Sequence, residues 1–215
     1  VNGKEFPITT DAWAVIHCLK IAGATGIYIV GGSLRNFFMG KDINDYDMEI
    51  YGLNSDQIHT AVAILGSVSL VGSHFKVIKL RMASGVEFDL SIPRREWKTG
   101  PSHVDFHIEV DPAMTTFEAA SRRDYSVNSG MYNVLKDELV DHFGFVHDIE
   151  HKILKPTSAQ FADDALRVLR GTWLAGMGFR MPSRYNAIMS GLAKYSWLIS
   201  RERVWEEWFK WASRS

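Results

Sequence analysis

The spacing of apolar residues changes character along this chain. Through about residue 145, short β-branched and aromatic runs alternate with turn residues and short amphipathic stretches. From about residue 159 the apolar positions recur every 3.6 residues, in FADDALRVLRGTWLAGMGF, RYNAIMSGLAKYSWLI and ERVWEEWFKWA. A chain with that change of period is neither all-β nor all-α throughout. It reads as an α+β unit followed by an all-α unit, with no repeat and no low-complexity linker between them.

Within the first part, DAWAVIHCLKIAGA predicts a helix capped by Thr10 or Asp11 and ended near Gly23 or Gly26. Residues 27–30 (IYIV) predict a buried strand that stops at Gly31-Gly32, and SLRNFFMG predicts a short helix closed by Gly40. DYDMEIY, residues 45–51, alternates as a strand does. A helix over 55–66 follows, then strands in VSLVG, FKVIKLRM and VEFDLSI. Gly100-Pro101 and mixed polar residues make 94–112 a mobile loop. TTFEAASRRD reads as a capped helix, and ELVD as a further strand or edge.

With 46% hydrophobic and 23% charged residues among 215, the chain has the apolar mass for a core and lacks the signature of disorder. No apolar run reaches the roughly 18–20 residues that span a bilayer. The N-terminus has neither a basic n-region nor an apolar h-region, which predicts a soluble protein without a secretory signal. Cys18 is the only cysteine, so it forms no internal disulfide, in keeping with a reducing, cytoplasmic setting. The chain starts at Val1 rather than Met, as a trimmed product or a piece of a longer one would. The net charge of -1 conceals a segregation: residues 1–150 carry 13 Lys and Arg against 20 Asp and Glu, and residues 151–215 carry 11 against 5. Metal-binding carboxylates in one half and a polyanion partner for the other would account for it, as would ordinary solvated faces.

Asp45 and Asp47 stand at i and i+2 of a strand and so share one face. Two converging carboxylates repel unless a cation lies between them, and Mg²⁺ is suited to one or two carboxylates plus phosphate oxygens. Upstream, Gly31, Gly32 and Ser33 lie where a strand gives way to a helix, where backbone N–H groups can meet phosphate. Arg35 adds a charge there. Strand, Gly-Gly-Ser, helix and then a carboxylate pair on the next strand is the order expected of a nucleotidyl transferase. In the helical part, Asp164 and Arg167 are three apart on a predicted helix. A carboxylate and a guanidinium on one face can read the Watson–Crick edge of C or A, or they can form a plain surface ion pair.

These segments together resemble the class II tRNA nucleotidyltransferase (CCA-adding enzyme) and bacterial poly(A) polymerase family of the DNA polymerase β superfamily. The family's G-G-x-V-R-D and D-x-D stretches stand here as GGSLRN and DYD. VEFDLSIPRRE is similar to the strand bearing a third acid, SRRDYSVNSGMYN to R-R-D-F-T-x-N-A, LVDHFGFVHDIEHKILKP to the D-P-F-G-G-x-x-D-L hinge, and ADDALRVLR to E-D-x-x-R. The five motifs run in order over roughly residues 27 to 175.

The resemblance implies a polymerase-β-like head, a mixed sheet with flanking helices, over 1–145. It implies a helical neck over 146–215, with the family's body and tail domains absent. It implies a two-metal, Mg²⁺-dependent transfer of CMP or AMP from CTP or ATP to an RNA 3′ end, most often tRNA, with release of pyrophosphate. In that frame Asp45 and Asp47 hold metal, and Asp89 is the third acid. Gly31, Gly32, Ser33, Arg35, Arg122, Arg123, Asp124 and Asn128 take triphosphate and sugar, and Asp164, Arg167 and Arg170 take the base. The matching hinge residues are Asp141, Gly144 and Asp148. The departures are Asn36 for the acid after Arg35, Asp163 for Glu, Tyr125 for Phe, Ser126 for Thr and Ser129 for Ala. Asn36 bears on turnover rather than on fold.

Rival readings are a nucleotide-binding module without turnover or needing a partner for RNA, poly(A)-type tailing of other RNAs, and a phosphohydrolase built on His142, His147, Asp148 and His151. The histidine cluster lacks the other ligands of an HD-type site. Val204, Trp205, Trp208, Phe209, Trp211 and Ala212 form an apolar stripe at helical spacing. It reads as a core-facing helix ahead of a base-stacking platform; left uncovered, it would serve dimerisation or partner docking.

Overall fold

The computed structural model describes residues 6–43, 45–71, 77–98 and 106–214. Its frame is a seven-stranded mixed sheet in the order β3-β4-β5-β2-β1-β8-β9. The strands are β1 (Gly26–Val30), β2 (Asp45–Tyr51), β3 (Gly66–Val71), β4 (Val77–Met82), β5 (Glu87–Ser91), β8 (Met131–Asn133) and β9 (Glu138–Val140). β2 and β5 pair in parallel and every other neighbour is antiparallel.

Register explains why one face of this sheet is core and the other is chemistry. Ile27 pairs with Ile50, Ile29 with Met48, Met48 with Leu90, and Tyr46 with Phe88. Ile78 and Leu80 of β4 continue the row against Leu90 and Phe88. All are buried, and the Tyr46 ring stacks on that of Phe88 at 5.1 Å. Against this row pack α1 (Thr10–Ile21), through Ala12, Val15, Ile16 and Leu19, and α3 (Ser55–Val62), through Ile58 and Val62. Thr9, one residue ahead of the expected caps, accepts from the Ala12 N–H to start α1. Because side chains alternate, the residues between the apolar ones point the other way. Asp47 therefore pairs with Asp89, and Asp89 with Lys79, on the second face.

That second face is covered in part by α4 (Thr116–Ser121), whose capping box pairs Thr115 with Glu118. A small cluster of Val30, Tyr51, Met114, Ala119, Ala120 and Met131 seals the contact. The stretch 94–112, expected to be a mobile loop, instead contains two paired strands, β6 (Arg94–Lys98) and β7 (Phe106–Val110). Gly100-Pro101 lies outside the described residues. The hairpin stands apart from the main sheet. It is tied back by Arg95, which reaches Asp111 at 3.3 Å and Glu118 at 3.0 Å.

From Phe145 the described chain is helical: α5 (Phe145–Glu150), α6 (Leu166–Gly176), α7 (Asn186–Ala193) and α8 (Arg201–Arg214), with short 3₁₀ turns between. The turn into α5 is held by Asp141, which accepts N–H bonds from Phe143, Phe145 and Val146. Buried Asp148 accepts from the Ser126 hydroxyl and pairs with Lys155 at 2.9 Å. The main core runs without a break from the sheet into Phe161, Leu174, Phe179 and Leu192. At this junction Tyr125 donates to the Arg167 carbonyl at 2.8 Å, and Gly171 lets α6 approach: a Cβ there would meet the Tyr125 hydroxyl at 2.3 Å. No helix among the described residues is long and apolar enough to cross a membrane.

α8 corrects the expectation of a core-facing stripe. Trp205, Trp208 and Phe209 are 70%, 50% and 64% exposed, whereas Glu207 is buried. Two polar residues one turn apart tie the helix down, Glu207 to Arg170 of α6 and Arg203 to Asp164 just before it, while Trp208 and Glu207 line a cavity with Leu169, Thr172 and Trp173 of α6. The side chain of Trp211 lies outside the described residues.

Candidate active site

α2 (Gly31–Phe38) starts directly from the end of β1, with no side chain capping its first turn. Gly31 has φ +63°, a left-handed conformation natural to glycine, and a Cβ there would stand 3.1 Å from Asp47 Oδ2. The Gly32 N–H donates to that same oxygen at 3.3 Å. The expected phosphate turn and the expected metal-binding strand are thus in direct contact, with a carboxylate at the positive end of α2. Ser33 is turned inward: its hydroxyl donates to the Val30 carbonyl and accepts from the Asp47 N–H, stitching β1, α2 and β2 together. Placed this way, Ser33 positions the turn rather than offering a hydrogen bond to phosphate.

Asp47 is partly buried, and its carboxyl is pushed up to about 6. Burial is the main cause, followed by the negative charges of Asp45 and Asp89; Arg123 and the Gly32 N–H act in the other direction. Asp89 lies beside it in register, with Lys79 Nζ at 2.6 and 2.9 Å from its two oxygens. Asp45 and Asp89 thus add negative charge beside Asp47, with Arg123 and Lys79 set against it. Among the described residues no group of three or more His, Cys, Asp or Glu is placed to hold a metal ion. A divalent ion at this place would have the oxygens of Asp45 and Asp47 from the protein and would take the rest from a substrate, an open site. The His147 and His151 rings stack at 4.3 Å, and His147 Nδ1 contacts Asp148, without a wider ligand set.

Two residues past Asp47 on the same face is Glu49, fully buried. Its Oε2 receives Arg122 at 2.7 Å and Arg123 at 3.2 Å, and its Oε1 receives the Tyr51 hydroxyl at 3.2 Å. Burial opposes its charge, but Arg122 and Arg123 together outweigh that and hold its carboxyl below the usual range. Arg123 reaches the turn, since NH1 would lie 3.7 Å from a Cβ at Gly31. Its buried Nε has no hydrogen-bond partner among the described residues. Sequence reasoning passed over Glu49, although the alternation D-Y-D-M-E puts it on the face of the two aspartates.

A second network runs from the turn to the helices. Arg35 is buried, with NH1 donating to Asn128 Oδ1 at 2.6 Å and NH2 to Asn36 Oδ1 at 3.0 Å. Asn36, the departure from the family acid, thus still orients Arg35 through its amide oxygen. Asn128 donates to Asp124 Oδ1 at 2.9 Å, and Asp124 pairs with Arg170 at 2.9 Å. Arg170 continues to Glu207 at 3.2 Å, and the Arg35 guanidinium lies 4.8 Å from the Trp173 ring centre. Arg170, expected at the base, is occupied in holding Asp124 instead.

The last expected pair is separated. Asp164 precedes α6 in extended backbone, where its Oδ1 accepts the Leu166 N–H, so it does not share a helix face with Arg167. Its partner is Arg203 of α8, at 2.6 Å. Arg167 donates to the carbonyls of Gln160 and Arg122, both at 2.8 Å. That second bond ties it to the backbone of Arg122.

Residues 27–155 match the family described as the poly A polymerase head domain. The chain belongs to that family. A multifunctional CCA protein of Xylella fastidiosa (strain 9a5c) is 34% identical over 186 residues, covering 84% of this chain and 43% of the relative. One from Pseudomonas aeruginosa (strain LESB58) is 33% identical over 187 residues, with the same coverage. The chain thus spans less than half the length of these curated relatives. The fold is shared with the Bacillus stearothermophilus CCA-adding enzyme in complex with CTP: TM-score 0.75, 22% identity, 96% of this chain and 49% of that one. It is shared too with the Thermotoga maritima CCA-adding enzyme complexed with tRNA, at TM-score 0.71 and 18% identity over 98% and 52% of the two chains. Membership of the poly A polymerase head domain family agrees with the mixed sheet and its flanking helices.

Proposed function

We propose that this chain is a nucleotidyltransferase that adds CMP or AMP from CTP or ATP to an RNA 3′ end, most often tRNA. The observation that carries this reading is the contact of the Gly31-Gly32 turn with Asp47, which sets a phosphate-binding helix start against a pair of metal-binding carboxylates. Membership of the poly A polymerase head domain family and the names of the curated relatives support it.

In this reading Asp45 and Asp47 hold Mg²⁺, which when bound supplies activation of the RNA 3′-hydroxyl and charge neutralisation on the triphosphate. Gly31 and Gly32 bring the backbone close to the phosphates, and the Glu49-anchored arginines add positive charge beside them. Asp89 serves as the third acid, with Lys79 tempering its charge. Arg35, Asn128 and Asp124 shape the sugar side of the pocket, and Arg170 braces Asp124 from α6. Asp164, just before α6, and Arg167, in its first turn, read the base, Arg167 by exchanging a backbone carbonyl for the nucleotide. We assign residues 1–145 to a catalytic head and 146–215 to a base-reading neck, although one core runs through both.

The test is incorporation of labelled CTP and ATP, separately and together, into a tRNA lacking its 3′ end and into an unrelated RNA. Extension of the tRNA supports the reading, and extension of both RNAs points to tailing. Nucleotide binding without extension at high RNA concentration contradicts transfer by this chain.

A further inference from the structure

α8 offers two charged side chains one turn apart to one residue within α6 and one just before it. Glu207 takes Arg170, and Arg203 takes Asp164. The second contact has a particular geometry. Asp164 sits in extended backbone (φ -133°, ψ 111°) between a 3₁₀ turn and α6, so helix packing alone does not fix its side chain. One oxygen is held from within by the Leu166 N–H at 3.0 Å, and the other by Arg203 NH2 at 2.6 Å. The Asp164 side chain is 21% exposed and that of Arg203 32%, so the pair lies at the rim of the protein with solvent access.

We propose that Arg203 is a specificity-determining positioning residue: by gripping Asp164 from α8 it keeps that carboxylate oriented as an acceptor toward the incoming nucleobase. The inference rests on the assignment of Asp164 to base reading made above. A carboxylate oxygen has two acceptor sites. With one site on each oxygen taken by Leu166 and Arg203, one on each remains for a ligand. An ionised carboxylate only accepts, so it rewards the amino group of cytosine or adenine and is left unpaired by the carbonyl that uracil or guanine presents there. A protonated carboxyl could donate to that carbonyl, and the discrimination would collapse. Burial works against the Asp164 charge, and Arg203 is the chief influence that overcomes it, holding the carboxyl below its ordinary range. Arg203 touches Asp164 rather than the base, so it acts through that residue.

The experiment measures CTP and UTP binding, and incorporation of each, by the wild-type chain and by Arg203→Gln and Arg203→Lys. The expected result is that Arg203→Gln lowers the CTP-over-UTP preference about tenfold or more. It does so by weakening CTP while leaving UTP nearly unchanged, and Arg203→Lys, which keeps the charge, recovers part of the preference. An equal loss for both nucleotides would mark Arg203 as merely structural and overturn the proposal. So would an unchanged preference in Arg203→Gln. A wild-type chain with no preference would instead overturn the base-reading assignment, and this inference with it.

Discussion

Arg170 of α6 and Asp124, which follows α4, form a 2.9 Å ion pair that bolts the helical part of the chain to the sheet beside the glycine turn. The Asp124 side chain is 5% exposed and also receives the Tyr125 N–H and Asn128. Removing Arg170 would leave a buried carboxylate without its cation. Arg170→Ala should therefore destabilise the protein by about 2–4 kcal/mol, read from the shift of the urea midpoint at constant m. A loss within ±0.5 kcal/mol, typical of a surface change, would show that the pair is not buried in solution.

Glu49 predicts a larger effect from a single amide. Glu49→Gln keeps the size of the side chain but leaves Arg122 and Arg123 side by side without their shared anion. The expected cost is about 3–5 kcal/mol. High phosphate should return part of the lost melting temperature more strongly than chloride of equal ionic strength, because the anion can stand between the guanidiniums.

Much of this arrangement is legible in the chain, and the failures have physical causes. The strand at 45–51 and the turn at 31–33 follow from alternation and glycine placement, so the contact between Asp47 and Gly32 was within reach. The hairpin over 94–110 was hidden because Gly-Pro punctuation outweighed the alternation in FHIEV, a pattern of period 2 that local reading can detect. Asp164 was placed on a helix because the helical spacing of FADDALRVLRGTWLAGMGF was read as starting ahead of it; the break falls at a residue whose own side chain accepts the Leu166 N–H. α8 was misread for a deeper reason. Hydrophobicity assigned the tryptophans inward, but Glu207 has a specific partner on α6 and Arg203 one just before it, and polar contacts of that kind are invisible without the tertiary fold.

Asp47 sets a pH dependence in the metal-free protein. Its carboxyl lies at about 6 in the folded state against 3.8 for the ordinary group. A raised folded value means that the stabilisation is present below about pH 4 and is lost as pH rises through about 6. Asp47→Asn should therefore be more stable than wild type above pH 6, by about 1–3 kcal/mol, with the difference vanishing near pH 4. Thermal melts in a chelator across pH 4–8 read this directly. Equal stability of the two proteins at pH 8 would contradict the raised Asp47 carboxyl.

Gly171 and Tyr125 should be coupled. Gly171→Ala places a methyl against the Tyr125 hydroxyl and should cost about 1–3 kcal/mol. Tyr125→Phe removes the hydroxyl and its bond to the Arg167 carbonyl, for about 1 kcal/mol. In the double variant the alanine penalty should shrink, giving a coupling of about 0.5–2 kcal/mol. Simple additivity would mean that α6 does not sit against Tyr125 in solution.

The central claim is that the carboxylate pair beside the glycine turn performs nucleotidyl transfer. The most direct measurement is Mg²⁺-dependent incorporation of labelled CMP and AMP into a tRNA lacking its 3′ end, by wild type, Asp45→Ala and Asp47→Ala, with folding followed by circular dichroism. The account predicts extension by wild type and none by either folded variant. Wild-type extension in Asp45→Ala or Asp47→Ala, or none by wild type at saturating RNA, would contradict it.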